Sequence, residues 1–213
     1  MLQFRILGFP VKVEWTFWLV TVLLGSAYAS IPGPRGITLI LTWVAVVFCS
    51  IIWHELGHAL ARKRFGASFS ELRLYSFGGL CSGPGRFTRT ESMIISAAGP
   101  AANLALGVLI WATAQSPLAV GWWMPFFVSM ALWINVGWAI LNLLPIPPLD
   151  GGRIMEAAMA NRNPSLPPKI GLVVAAIAAV LGLTTGNLWT TFLFGYLAYS
   201  NYQRIKGFSV RLP

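Results

Sequence analysis

Long apolar stretches separated by short polar segments dominate this chain. A helix that crosses a bilayer needs about 20 mostly apolar residues, and four stretches meet this requirement: Val13–Ile31, Gly36–Ala61, Glu91–Ala114 and Gly121–Leu144. Two shorter apolar stretches, Ile170–Thr184 and Leu188–Tyr202, are separated by Thr-Thr-Gly-Asn, a composition typical of a tight turn. The pattern therefore predicts about six transmembrane helices, the last two forming a hairpin.

Two non-helical segments show, over part of their length, the two-residue alternation that is typical of short β-strands. One lies in residues 4–15, before the first apolar stretch, and the other in residues 71–80, after the second stretch, where it contains Gly78-Gly79. Both would lie on the same side of the membrane, so we expect them to pair as a small β-sheet at the membrane face. The predicted fold class is an all-α polytopic membrane protein with this one sheet, and residues 1–213 form a single membrane-embedded domain.

Composition and charge support this interpretation. Of the 213 residues, 56% are hydrophobic and 10% are charged, whereas soluble domains carry about 25% charged residues. This excludes an ordinary soluble domain, and disorder would require the opposite composition. Fourteen of the fifteen Lys and Arg residues lie on one side of the six-helix topology, and Arg35 alone lies on the other. Both termini and the sheet are therefore expected to be cytoplasmic.

The basic run Arg62-Lys63-Arg64 follows the second apolar stretch directly. At this position it is better explained as a stop signal at the lipid headgroups than as a nucleic-acid-binding patch. We therefore expect a lipid bilayer, and no nucleic acid, as the partner of these charges.

Both histidines of the chain lie in one motif on the second apolar stretch, His54-Glu55-Leu56-Gly57-His58. Residues four apart on a helix share one face, so the two imidazoles can bind one metal ion and Glu55 can accept a proton from water on that metal. The alternative is a pair of core histidines that bond to each other or to backbone carbonyls. Ionisable groups are costly inside a membrane and are usually functional, which favours the metal site.

A third ligand is required because a catalytic zinc ion takes three protein ligands and keeps one open position. The one aspartate of the chain, Asp150, follows three prolines and precedes two glycines. Prolines end a helix, and irregular backbone at membrane depth is tolerated only where protein or water covers it. An ordinary surface turn is the alternative, but Asp150 and the two histidines lie at similar predicted depths. The candidate ligands of a single Zn²⁺ are therefore His54, His58 and Asp150, with Glu55 as the catalytic base.

These motifs together resemble the site-2 protease family of intramembrane zinc metalloproteases. The resemblance includes the histidine motif on a transmembrane helix and the sequence Asn142-x-x-Pro145-x-Pro147-x-x-Asp150-Gly151. It extends to three further segments of the chain: Gly8–Val13, Phe77-Gly78-Gly79, and the Gly-Pro-x-x-Asn sequence within Ser96–Asn103.

The resemblance implies that His54, His58 and Asp150 bind zinc and that Glu55 activates water. It also implies that Asn142 helps to hold the substrate backbone and that Asn103 lies near the site. The expected activity is that of a zinc metalloendopeptidase that cleaves single-span membrane proteins within or near their transmembrane segments. Family members often carry PDZ or CBS domains, for which this chain has no room, so it resembles the short members.

The compact form favours a prokaryotic cytoplasmic membrane, with the active site toward the cytoplasmic side. Because a helical substrate hides its carbonyls in hydrogen bonds, cleavage needs an unwound segment. A strand edge near residues 77–80, which includes Gly78 and Gly79, could hold such a segment by β-augmentation. A plain structural loop explains the same pattern equally well.

Two other functions are compatible with a histidine motif in a membrane helix or with the family resemblance. A polytopic metal-ion transporter can also place such a histidine motif in a membrane helix, but it should offer further polar residues on neighbouring helices. The other predicted helices lack His and, apart from acids at their rims, carboxylates. An inactive homologue that only binds membrane partners would have no need of Glu55.

Overall fold

The computed structural model describes residues 1–76, 78–115, 121 and 123–207. Phe77, and Trp122 near the start of the fourth apolar stretch, lie outside the described residues. The strands are β1 (Leu2–Ile6), β2 (Phe9–Val13), β3 (Glu71–Tyr75) and β4 (Gly78–Ser82). The helices are α1 (Trp15–Gly25), α2 (Pro34–Arg64), α3 (Arg89–Ala114), α4 (Met124–Asn142), α5 (Asp150–Met159), α6 (Leu166–Thr184) and α7 (Leu188–Ile205). A 3₁₀ turn at Ser26–Ser30 follows α1.

The chain divides into two compact units. The first unit contains residues 1–86 and 98–140, and the second contains residues 87–97 and 141–213. The strands, α1, α2, most of α3 and nearly all of α4 belong to the first unit. The first turns of α3, together with α5, α6 and α7, belong to the second unit.

The predicted small sheet is present in the first unit, with the strand order β1-β2-β3-β4. The pairs β1–β2 and β3–β4 are antiparallel hairpins, and β2–β3 is parallel. A parallel pair requires a long crossover between its strands, and here α1 and α2 provide it. The crossover between β2 and β3 therefore contains the helix that carries the histidine motif.

One face of the sheet packs on the C-terminal half of α2. The alternating strand residues Val11, Val13, Leu72 and Leu74 are fully buried. They form one core cluster with the following residues of α2: Ile51, Ile52, Leu56 and Ala59. Because this cluster surrounds residues 54–58, the hydrophobic core that holds the sheet in place also fixes the helical turns of the histidine motif.

Four helices of the described part of the chain are long and apolar enough to cross a membrane: α2, α3, α4 and α6. The segment Trp15–Ser30 is apolar but shorter, and α7 is not among the four. The chain is an integral, mostly helical membrane protein with a small sheet, and the predicted count of six transmembrane helices is not confirmed.

Several helix boundaries differ from the sequence predictions for local physical reasons. The first apolar stretch was predicted to begin at Val13, but this residue pairs with Leu74 in the sheet, and α1 begins at Trp15. The helix α6 begins at Leu166, four residues before the predicted start, and includes two prolines in its first turn. Proline is tolerated there because the first N–H groups of a helix have no intrahelical acceptor.

The second unit contains a helix that the sequence pattern did not predict. The helix α5 spans ten residues directly after the proline-rich segment and begins at Asp150 itself. Two hydrogen bonds from the Arg89 guanidinium to the carbonyls of Ala157 and Ala158 cover the end of α5. An ion pair of Glu156 with Arg204 ties the same helix to α7.

The helices α6 and α7 form the predicted hairpin. They pack closely together, and the turn between them contains Gly186 with a φ of 70°. The side chain of Asn187 caps α7 by accepting a hydrogen bond from the Thr190 N–H at 3.0 Å. Asparagine is among the preferred N-cap residues because its short carbonyl reaches the free N–H groups of the first turn.

Candidate metal centre

The two histidines of α2 lie one helical turn apart and point the same ring nitrogen at each other. Their Nε2 atoms are 3.1 Å apart, and the ring planes are inclined by 79°. His54 is 2% exposed and His58 is 6% exposed. Two nitrogen ligands of a tetrahedral zinc ion, each about 2.0–2.1 Å from the metal, lie about 3.3 Å apart. The spacing of the Nε2 atoms therefore fits two ligands of one metal ion.

Glu55 follows His54 on the helix, and its carboxyl group lies against the sheet. A Cβ atom added to Gly79 of β4 would overlap Glu55 Oε1 and lie 2.6 Å from its Cδ. The carboxylate therefore contacts the β4 backbone at Gly79, where the Cβ atom of any other residue would overlap it. Glu55 is 4% exposed, so the candidate base is held in a pocket of α2 and β4.

The neighbouring Gly78 adopts a φ of 124°, a conformation that L side chains rarely adopt. A Cβ atom at this position would lie 2.8 Å from the Trp138 ring of α4. β4 is the last strand of the sheet, so one of its edges carries no further strand among the described residues. The two glycines therefore let this edge strand lie close both to Glu55 and to an aromatic ring.

Asp150 is the first residue of α5 and is 5% exposed. The next two residues are glycines because the segment before α5 folds back onto them. A Cβ atom at Gly151 would overlap the Leu143 carbonyl oxygen, and one at Gly152 would lie 2.4 Å from the Ile146 carbonyl carbon. The Pro147-Pro148 peptide bond is cis. The Pro-Pro-Leu-Asp-Gly-Gly segment is thus a close-packed turn and not an ordinary surface turn.

A side chain of α7 forms a hydrogen bond that holds the turn before Asp150 in place. The side-chain Nδ2 of Asn201 donates to the Pro147 carbonyl at 2.6 Å and to the Leu197 carbonyl at 2.8 Å. Asn201 is fully buried, and Gly171 of α6 lets both Pro147 and Asn201 approach closely. A backbone carbonyl near the predicted ligand is therefore fixed by a side chain far along the chain.

Among the described residues, one group of metal-binding side chains comes together. His54, His58 and Asp150 each offer one ligand atom, and these atoms all lie within 4.8 Å of one another. Two nitrogen donors and one carboxylate oxygen form a donor set that zinc accepts in catalytic sites. The three residues are therefore positioned to bind a metal ion.

The two asparagines expected near the substrate are both buried. Asn142 is the last residue of α4 and is 9% exposed. Asn103 of α3 is fully buried, and neither its Oδ1 nor its Nδ2 has a hydrogen-bond partner in the described structure. Buried amides are usually hydrogen-bonded, so Asn103 has hydrogen-bonding capacity that the fold does not use.

Three residues with structural roles at this centre were missed by the sequence analysis: Gly99, Trp138 and Asn201. A Cβ atom at Gly99 would overlap His58 Nε2. Gly99 lies within the Gly-Pro-x-x-Asn sequence, but nothing in that sequence reveals which of its residues faces the histidines. Asn201 could have been found, because a polar side chain in an apolar helix usually has a specific partner. Trp138 carries no local signal that separates it from the other nine tryptophans of the chain.

Comparison with known proteins identifies the relatives of this fold. The family model for peptidase family M50 matches residues 42–121 and 114–185. The putative zinc metalloprotease Rip3 of Mycobacterium tuberculosis is 30% identical over 89% of this chain, and the match covers 54% of Rip3. The putative zinc metalloprotease YwhC of Bacillus subtilis is 30% identical, with 68% of this chain and 83% of YwhC covered.

A solved structure shares the fold. The site-2 protease from Methanocaldococcus jannaschii superimposes with a TM-score of 0.72 at 22% sequence identity, covering 100% of this chain and 98% of the other. The chain spans about half the length of Rip3. Since the family model matches well over half of the sequence, this chain belongs to peptidase family M50.

Proposed function

We propose that this chain is an intramembrane zinc endopeptidase that hydrolyses peptide bonds within or near the transmembrane segments of single-span membrane proteins. The observation that carries the proposal is the group of His54, His58 and Asp150, whose ligand atoms lie within 4.8 Å of one another. The relatives named as zinc metalloproteases support the identity of the metal. In this proposal residues 1–213 act as one metalloprotease domain.

The chemistry divides between the metal and the chain. Zinc, when bound, supplies a Lewis acid that lowers the pKa of water and polarises a carbonyl group. Glu55 takes the proton from the attacking water and delivers it to the leaving amine, so that one peptide bond is replaced by a carboxylate and an amine. Its buried position beside His54 suits this role, because a general base must lie within hydrogen-bond reach of the water.

The edge of β4 is the proposed binding site for an unwound substrate segment. Backbone groups at the free edge of a sheet pair readily with an extended peptide. Because Gly79 contacts the Glu55 carboxyl group, a peptide paired along this strand would pass close to the proposed base. Gly78 and Gly79 are therefore assigned to substrate binding.

The two buried asparagines are proposed to hold substrate groups as well. Asn142 precedes the turn that leads to Asp150, and we assign it to the substrate backbone. Asn103 has a free amide donor and acceptor in the described structure, which supports a similar role.

The proposed orientation places the active site toward the cytoplasm. His58 lies four residues before Arg62, or about 6 Å along the helix axis. The run of three basic residues at the end of α2 is expected on the cytoplasmic side by the positive-inside rule. Accessibility of single cysteines introduced into the 184–187 turn and near residue 68 would test this orientation.

The test of the function compares the native chain with Glu55→Gln. The purified protein is assayed for zinc per molecule and for cleavage of a single-span model substrate. We expect Glu55→Gln to retain zinc and to lose cleavage by a factor of about 10² or more. Glu91→Gln is the matched control, since Glu91 lies at the exposed start of α3 and caps the Thr88 N–H.

Equal cleavage by both proteins would remove Glu55 from the mechanism. Zinc flux into liposomes without any proteolysis would instead indicate a metal-ion transporter. Zinc binding with neither activity would indicate an inactive homologue.

A further inference from the structure

Gly99 of α3 faces the two histidine rings directly. A Cβ atom built on this glycine would overlap His58 Nε2 and would lie 2.6 Å from His58 Cε1 and 2.7 Å from His54 Nε2. Carbon atoms do not approach non-bonded ring atoms this closely, so even the smallest side chain would displace something. The atoms in its way are the same Nε2 atoms that lie 3.1 Å apart.

The helices α2 and α3 pack closely at this level, and a hydrogen bond joins them. A Cβ atom at Gly57 of α2 would lie 2.5 Å from the Ala98 carbonyl oxygen, so the two backbones already touch beside Gly99. One turn further along, the Trp53 indole N–H donates to the Ala102 carbonyl at 2.8 Å. A methyl group at residue 99 would therefore push on the imidazole rings before it could move the helices apart.

We propose that Gly99 is a positioning residue for the metal centre. Its missing side chain lets α3 lie against the two imidazoles and leaves both Nε2 atoms directed at one point. A larger residue would turn at least one ring and separate the two nitrogen donors. The inference rests on the proposed function, because it assumes that these nitrogens bind zinc.

The experiment compares Gly99→Ala with Gly107→Ala in the detergent-solubilised chain of residues 1–213. Gly107 lies two turns further along α3, and a Cβ atom there would meet only Val136 Cγ2, at 3.3 Å. Zinc affinity is measured by competition with a chelator, and the ligand geometry is monitored by the visible absorption of bound Co²⁺. We expect Gly99→Ala to bind zinc at least tenfold more weakly and to change the Co²⁺ spectrum, whereas Gly107→Ala should match the native chain.

A second comparison separates positioning of the rings from ordinary helix packing. Thermal unfolding of the metal-free protein is measured for Gly99→Ala, both in the native background and together with His54→Ala and His58→Ala. We expect the substitution to lower the midpoint in the native background and to have no effect when both rings are absent, as for two groups that interact directly.

Three outcomes are decisive. Native zinc affinity in Gly99→Ala, or an equal loss of midpoint in both backgrounds, would overturn the inference while leaving the proposed function intact. If the native chain itself binds no zinc, the proposed function fails, and the midpoint comparison still tests whether Gly99 makes room for the histidine rings. A tenfold loss of affinity with a midpoint loss confined to the native background would support the positioning role.

Discussion

At the scale of single residues, the chemical groups of the candidate site were predictable, but the residues that arrange them were not. The His54-Glu55-Leu56-Gly57-His58 spacing carries its own geometry, because an α-helix places residues four apart on one face. Asp150 was predictable because it is the one aspartate of the chain and follows a helix-breaking sequence. The roles of Gly99 and Asn201 depend on which helices become neighbours, and no local pattern contains that information.

Asn201 should influence zinc binding although it lies about 50 residues from Asp150 in the sequence. Replacing it in Asn201→Leu removes the donor to the buried Pro147 carbonyl, at a cost of about 1–3 kcal/mol. We expect the turn before Asp150 to loosen and zinc affinity to fall by about 10- to 100-fold, the range seen when groups supporting metal ligands are removed. Chelator competition measures the affinity, and thermal unfolding measures the stability.

Gln203→Leu is the matched control for this prediction. Gln203 lies two residues further along α7, and its amide donates to the Tyr199 hydroxyl at an exposed position. Native zinc affinity in Asn201→Leu would show that the hydrogen bond to Pro147 is dispensable for the metal centre.

At the scale of elements, hydrophobic periodicity located the long helices and the strand segments, whereas their boundaries depended on tertiary contacts. Because Val13 pairs within the sheet, α1 begins two residues later than predicted. Apolar composition alone does not reveal this pairing. The helix α5 was missed because two glycines in its first turn disfavour a helix by intrinsic propensity. The structure uses these glycines for close contact with the preceding turn, so packing overrides propensity there.

The free edge of β4 is tested by placing proline at two consecutive residues, Leu80→Pro and Cys81→Pro. The N–H groups of successive residues point to opposite edges of a strand, so one substitution removes an N–H that faces β3 and the other removes one at the free edge. We expect the variant that loses the N–H at the free edge to keep its fold and its zinc. It should lose most cleavage, because proline cannot donate a hydrogen bond to a paired peptide. The other variant should be destabilised.

Zinc content, thermal unfolding and cleavage of a single-span substrate are measured for both variants. Unchanged cleavage by the folded variant would mean that substrate does not pair with this edge. The segment would then be a plain structural hairpin that supports Glu55.

At the scale of the whole molecule, composition and charge already identified an integral membrane protein. The count of helices able to span the bilayer was less predictable, because α1 is short and α7 mixes apolar with polar residues. The chain divides into two units, and the boundary at residue 98 lies inside α3 and has no signal in the sequence. The other two boundaries lie near Gly83-Pro84-Gly85 and the proline-rich segment before Asp150.

Removal of zinc should lower the stability of the folded chain. A ligand that binds only the native state at 100 times its Kd stabilises that state by about 2.7 kcal/mol, which corresponds to a midpoint change on the order of 5–10 °C for a chain of this size. We therefore expect a strong chelator to lower the thermal midpoint of the native protein by this amount.

The double variant His54→Ala with His58→Ala is the control for chelation. It lacks two of the three proposed ligands, so its midpoint should not respond to the chelator. An equal response in both proteins would mean that the chelator acts elsewhere.

The contact between Gly79 and Glu55 has a consequence for where a bound polypeptide would be cut. A peptide paired with β4 presents alternate residues to opposite faces, so sliding it by one position would exchange its inward and outward side chains. Sliding it by two positions restores the same presentation about 6.8 Å further along. Cleavage at more than one position would then yield fragments whose ends differ by two residues or by a multiple of two.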